Sequence, residues 1–325
     1  VLVVALAVAA AGGVLAALAP TIEVAIAGRI LQAGAAAAGI TVARAVATDC
    51  YERDLATSFI ARLTGVMVFM PMIAPAIGGE LVVAFGWRSV FVLGAVLTVV
   101  VSVWVFFQLE ETIKAKAPRV DFGHLFRGLA YAAESRVFWG LTLFSALQMG
   151  AFFSFVGSAP FVMAEAYGFG PEIYGRYFFF IAVIFMASNF VSSVAVKRLG
   201  AQTTLRIGAA ISVFGVGVFV ALMLAGLDGP VWLFVPAGIN GVAGGFALPA
   251  AVSLAVLERS ERAGAASSLV GFVQFLMAGL ASQIGGAIPH GSALPSILLI
   301  WALGLAGVAA IGVLAPQRIG FRAFA

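Results

Sequence analysis

Residues 263–317 read AGAASSLVGFVQFLMAGLASQIGGAIPHGSALPSILLIWALGLAGVAAIGVLAPQ, and these 55 residues contain no Asp, Glu, Lys or Arg. A helix crosses a bilayer with about 20 apolar residues, so the stretch is too long for one crossing. Pro289, His290, Gly291 and Ser292 mark a turn inside it. Two spans follow, at 265–287 and 294–314. Strands of a membrane barrel alternate polar and apolar residues over about ten positions, and nothing here alternates. Helices are therefore expected.

The pattern extends through the chain. Of 325 residues, 63% are hydrophobic and 10% are charged, whereas a soluble domain is about 45–50% apolar and about 25% charged. Too little charge remains to coat a water-soluble globule, so a lipid bilayer must be the solvent for much of it. Eight further apolar runs lie at 1–22, 23–43, 62–83, 89–108, 137–159, 176–196, 207–226 and 231–255. The fold class is all-α integral membrane, with ten transmembrane helices expected. One cysteine, Cys50, allows neither an internal disulfide nor a cysteine metal site. The net charge of +4 is weak evidence for nucleic acid, because basic residues gather in the cytoplasmic loops of membrane proteins. Val1 opens an apolar run with no basic n-region before it. No signal peptide is read there, and the chain is expected to begin partway through a longer protein.

Charge sets the orientation. If the loop at 44–62 is cytoplasmic, so are those at 110–136, 197–206 and 256–262 and the tail from 316. That side then holds 15 of the 18 basic residues, the other side holds Arg88 and Arg176, and Arg29 falls within a span. Both chain ends are thus expected in the cytoplasm. The loop at 110–136 is the one long connection. It divides the chain into a four-helix part (1–109), a central loop and a six-helix part (137–325). IGG at 77–79 repeats as IGG at 284–286, and the same offset places Gly34 on Gly241. Two related halves are a common plan for transporters.

Four stretches carry a family likeness: GRILQAGAAAAGITVARAVATD (28–49), PMIAPAIGGEL with FGWRSVF (71–81, 85–91), SAPFVMAEAYGFGPEIYG (158–175) and GFALPAAVSLAVLERSERAGAASSLVGFVQF (245–275). Together they resemble the major facilitator superfamily (MFS), and within it the Bcr/CflA, or bicyclomycin-resistance, multidrug efflux exporters. The resemblance implies the MFS fold of 12 helices arranged six and six, with helices 3–12 present here. It implies proton-coupled export of small drug-like amphipathic compounds by alternating access, and drug resistance as the outcome. It also implies a monomer in the bacterial inner (cytoplasmic) membrane, with the proton gradient as energy source and no bound cofactor. The family's proton-binding acids in the first helix have no counterpart in this stretch.

Single residues take roles on the same basis. Arg29 lies six residues into its span, about 9 Å from the outer end at about 1.5 Å per residue. A charge at that depth usually faces the bundle interior or a watery cavity. With Gln32 one turn away it is the candidate for proton coupling; otherwise it snorkels to headgroups or pairs with Glu23. Pro71, Pro75, Gly78 and Gly79 form the antiporter hinge motif, where proline bends the helix and glycine admits a neighbour. Arg44, Asp49, Lys197 and Arg198 are cytoplasmic gate candidates or simply solvated charges. Gln148, Phe152, Phe155, Asn189, Asn240 and Gln274 are candidates for a substrate cavity, and the polar ones could equally bond a neighbouring helix. His124 and His290 read as solvated loop histidines with no metal spacing.

Other classes are weaker. A ten-helix drug/metabolite-type transporter divides five and five, with short loops. A membrane enzyme acting on lipid-linked diphosphates needs clustered acids or a His/Asp group, and neither is present. No Walker motif points to ATP. A truncated, non-transporting product is the remaining alternative.

Overall fold

The computed structural model describes residues 2–50, 73–108, 122–226 and 229–316, together with Leu55 and Met70. Pro71 and the side chains of Arg44, Asp49 and His124 lie outside the described residues. The α-helices among the described residues are numbered in chain order. The first four are α1 (Leu2–Ala17), α2 (Ile22–Cys50), α3 (Ile73–Phe85) and α4 (Arg88–Gln108). Then come α5 (Phe122–Ala133), α6 (Arg136–Glu165), α7 (Pro171–Leu199) and α8 (Ala201–Leu224). The last are α9 (Pro230–Glu258), α10 (Ala263–Ala287) and α11 (Leu294–Leu314). The described residues contain no strand. Seven of the described helices, α4 and α6–α11, are long and apolar enough to cross a membrane, and α1 and α3 are shorter apolar helices. The chain forms two compact units, Val1–Arg119 and Val120–Ala325.

In the first unit α1 packs on α2 and α4. Its buried face is made of Ala9, Ala10, Gly12, Gly13, Ala16 and Ala17. Such small residues let backbones meet, which is how helices associate where lipid removes the hydrophobic drive. A Cβ at Gly12 would lie 2.6 Å from the Gly28 carbonyl oxygen, and one at Gly28 would lie 2.7 Å from that of Gly12. α3 ends at Gly86, whose φ of +78° favours glycine. Its N–H bonds Val82 O at 2.9 Å. Arg88 then stacks over Trp87 at 4.2 Å and donates to Ala19 O at 3.0 Å, fastening the start of α4 to the α1–α2 turn.

In the second unit α6 is central, packed by α9, α10 and α11. Ser135 caps it, its hydroxyl accepting from Phe138 N at 3.2 Å. Phe138, Leu141 and Phe144 meet Leu205, Ala247, Ala251, Val270 and Ile311 in one core. α9 carries Gly241, Gly244, Gly245, Ala247, Ala250 and Ala251, all buried, and packs against α6, α7 and α8.

Two expectations change. The central loop contains a helix, α5, which lies against the Ser260–Arg262 turn and the start of α10. Tyr131 donates to Glu261 at 2.9 Å, with Arg259 over its ring at 4.5 Å, and Trp139 Nε1 donates to Ala133 O at 2.8 Å. Basic residues on both sides hide its apolar periodicity in the sequence. His290 is not solvated: it is 8% exposed.

Candidate functional site

The first unit holds Arg29, on α2. Arg29 donates to Gln32 Oε1 at 2.6 Å, and its guanidinium lies 5.8 Å from the Phe91 ring centre on α4. Glu23 is engaged instead by the Thr21 side chain. The amide end of Gln32 is held close to Gly13 and Gly94, since Cβ atoms there would lie 3.1 and 3.6 Å from Nε2. These glycines admit the amide between α1 and α4, with its oxygen turned to the cation. A guanidinium held by one amide and one ring keeps donor capacity for a further acceptor.

Of the hinge motif, Pro75 and Gly78 are half-buried and Gly79 is buried in α3. A Cβ at Gly78 would meet nothing within 4 Å among the described residues.

The second unit separates the polar from the aromatic candidates. Gln148 is 1% exposed and donates through Nε2 to Ser212 Oγ of α8 at 2.6 Å. Asn240 of α9 is 4% exposed. Both amide oxygens lack a hydrogen-bond partner among the described residues. They converge on Gly304 of α11, where a Cβ would lie 3.6 Å from Asn240 Oδ1 and 3.8 Å from Gln148 Oε1. Asn189 stays on its own helix, donating to Phe185 O at 2.9 Å. Gln274 is half-buried on α10, and Lys197 and Arg198 occupy the last turn of α7.

Phe152 and Phe155 are brought together through a third ring. Phe178 of α7 lies 6.2 Å from Phe152 and stacks on Phe155 at 6.4 Å. Phe185 stacks on Phe152 at 6.0 Å, and Phe234 of α9 meets Phe155 edge-on at 5.4 Å. Beside these rings α7 and α9 part to leave a groove of about 440 Å³. Tyr177, Phe180, Ile181, Phe234 and Gly238 are among its lining residues. Sequence reasoning missed Tyr177, Phe178 and Phe234. Tyr174 and Phe178 at i, i+4 were the available signal, obscured by the 28 phenylalanines of the chain.

The described residues hold no group of three or more His, Cys, Asp or Glu able to bind a metal ion. What the geometry offers is apolar, aromatic and amide surface within long membrane helices. That is the surface of a multi-pass membrane protein.

Comparison with known proteins agrees. The Major Facilitator Superfamily model matches residues 1–282, and the chain belongs to that superfamily. A Bacillus subtilis relative called "Uncharacterized MFS-type transporter YdgK" is 25% identical over 308 residues, covering 94% of this chain and 76% of the relative. A Haemophilus influenzae bicyclomycin resistance protein homolog is 27% identical, covering 90% and 74%. The multidrug resistance protein MdtL of Salmonella newport is 26% identical, covering 90% and 68%. The resemblance to bicyclomycin-resistance exporters is borne out by these relatives. Among solved structures, a bacterial homolog of the human lysosomal transporter Spinster, inward-facing and unoccupied, superposes with TM-score 0.68 at 14% identity, covering 98% of this chain and 81% of that one. A bacterial homologue of the iron transporter ferroportin gives 0.63 at 15% identity, covering 98% and 82%. These two share the fold.

Proposed function

We propose that the chain exports small amphipathic, drug-like compounds in exchange for protons. In this reading it works as a monomer by alternating access in the bacterial inner membrane, with both chain ends cytoplasmic and the proton gradient as energy source. The observation that carries the reading is the exposed guanidinium of Arg29 in α2, held by Gln32 and Phe91 among the described residues. A fixed cation there lowers the proton affinity of any carboxyl brought beside it. Proton release then depends on which conformation brings the two together. The rings around Phe178 and the α7–α9 groove supply apolar surface for an aromatic substrate. Names of relatives that refer to bicyclomycin and multidrug resistance support the substrate class.

The test uses the full chain in proteoliposomes with an imposed pH gradient and a fluorescent amphipathic dye. The gradient is expected to drive dye movement, and Arg29→Ala to abolish it. Movement that is unchanged in the variant would remove Arg29 from the mechanism. Absence of gradient-driven movement in the parent chain would refute proton coupling.

A further inference from the structure

His290 lies in the turn between α10 and α11, 8% exposed, and the export mechanism does not use it. Its surroundings are fixed by the closest backbone approach between α6 and α10. A Cβ at Gly157 would lie 2.5 Å from Ser282 O, and one at Gly285 would lie 2.5 Å from Ser154 O. These glycines lock the two helices in register, one turn before α6 presents Phe161 and Glu165. The imidazole stacks on Phe161 with centroids 5.0 Å apart. Its Nε2 meets Gly285 O at 3.0 Å, and its Nδ1 faces Glu165 Oε1 at 3.8 Å.

The chemistry of the two contacts differs. A carbonyl oxygen only accepts, so Nε2 carries a hydrogen and donates it to Gly285. The neutral ring then has its lone pair on Nδ1, which faces a carboxylate that also only accepts. The contact improves only when Nδ1 gains a proton, which turns it into a donor and the pair into an ion pair. Glu165 is 55% exposed, so water reaches this edge of the ring. Charged competitors are few. α10 and α11 contain no ionisable residue, and the other ionisable residue of α6, Arg136, is at its opposite end. α7 brings Glu172 and Arg176 to this end of the unit.

We propose that His290 and Glu165 form a proton-binding site that fastens the α10–α11 turn to the end of α6. The ligand is a single proton taken from water on the side that loop charge assigns to the outside. It binds Nδ1, no covalent bond between residues changes, and the imidazolium is held between Glu165 and the Gly285 carbonyl. Histidine is the side chain whose ordinary titration spans pH 5 to 8, so acidification of that face would close the fastening. The site does not depend on whether protons drive transport.

The test is a nitrogen NMR titration of the full chain in lipid nanodiscs, with 15N-labelled histidine and H124Q leaving one imidazole. Nε2 is expected to remain protonated throughout, while Nδ1 moves from the unprotonated to the protonated region on acidification. E165Q is expected to weaken the acid-induced change at Nδ1. Amide hydrogen exchange at 288–293 is expected to slow on acidification in the parent and not in E165Q. A proton on Nδ1 rather than Nε2 at pH 8 would overturn the proposal. So would a ring that stays neutral on acidification, or a nitrogen spectrum and exchange pattern unchanged by E165Q.

Discussion

Gly208 and Gly217 lie on the same helix, α8, and the same substitution at the two should have opposite effects. A Cβ at Gly208 would lie 2.6 Å from Ala247 Cβ, 2.8 Å from Ala243 O and 2.9 Å from Ala247 N. Two of these atoms are backbone, so no side chain can turn aside. Ordinary contact begins near 3.4 Å, so α8 and α9 must part by about 0.5–0.8 Å. With backbone as the obstacle, overpacking of this kind costs about 2–3 kcal/mol, the upper part of its usual range. Alanine recovers at most about 1 kcal/mol of helix preference over glycine. The net for Gly208→Ala is a loss of about 1–2 kcal/mol. A Cβ at Gly217 would meet nothing within 4 Å among the described residues, so Gly217→Ala keeps the gain without the clash.

Thermal unfolding of the purified full chain in one detergent is the assay. At about 2–4 °C per kcal/mol for a unit of this size, Gly208→Ala should lower the midpoint by about 2–8 °C. Gly217→Ala should leave it unchanged or raise it by up to about 4 °C. Adding Ala247→Gly to Gly208→Ala should restore only part of the loss, because the contacts with Ala243 O and Ala247 N remain. Equal shifts at positions 208 and 217 would show that α8 and α9 are not in backbone contact, and the reasoning would fail. The effect also reaches the polar cluster. Ser212 is one turn from Gly208, and its 2.6 Å bond to Gln148 spans helices that this displacement disturbs.

Gly304→Ser places a hydroxyl between the amide oxygens of Gln148 and Asn240, which have no partner among the described residues. It should raise the midpoint by about 2–4 °C, for about 1 kcal/mol from one new buried hydrogen bond, whereas Gly304→Ala should not. Phe155 is 1% exposed within an aromatic cluster, so Phe155→Ala should cost about 3–5 kcal/mol and reduce folded yield. Half-buried Phe152→Ala should cost less and instead change which dyes are exported, as a panel of dye-transport assays would show. Arg29→Lys keeps the charge but not the planar fork that meets Gln32 and Phe91. It should lower gradient-driven transport about tenfold in proteoliposomes, for the loss of about 1.4 kcal/mol from one charge-assisted bond.

Helix positions are legible in the sequence because a bilayer imposes a length and an apolar composition, and both are properties of a linear string. The run at 263–317 shows this, resolving into α10 and α11 with ends within two residues of those read from the turn at 289–292. The facing of single residues is not legible. The i, i+4, i+7 spacing of Gln148, Phe152 and Phe155 predicts one face, yet Gln148 turns to Ser212 while the rings meet Phe178. Spacing fixes which residues share a helix face but not which helix that face meets. The burial of His290 escapes the sequence for a related reason. A loop histidine is solvated by default, and this one is covered because Gly157 and Gly285 bring α6 against α10 across more than a hundred positions of sequence.

The α7–α9 pair shows how small residues position a groove for large ones. Toward the C-terminal end of α7, Ser188 donates to Val242 O at 2.8 Å and Ser192 to Phe246 O at 3.2 Å. Gly245 sits against them, and a Cβ there would lie 2.7 Å from Ser188 Cβ. Two hydroxyls and a glycine leave no room for anything else. One to three turns back along α7 come Ile184, Ile181 and Tyr177, which line the groove together with Gly238, Val235 and Phe234 of α9. In lipid, apolar bulk does not by itself draw helices together, so the serine bonds fasten one part of the pair while Tyr177 meets Phe234 at 4.9 Å in the other. The groove therefore lies where the Ser/Gly register stops. Its width is set by the stitched end as much as by the rings that line it.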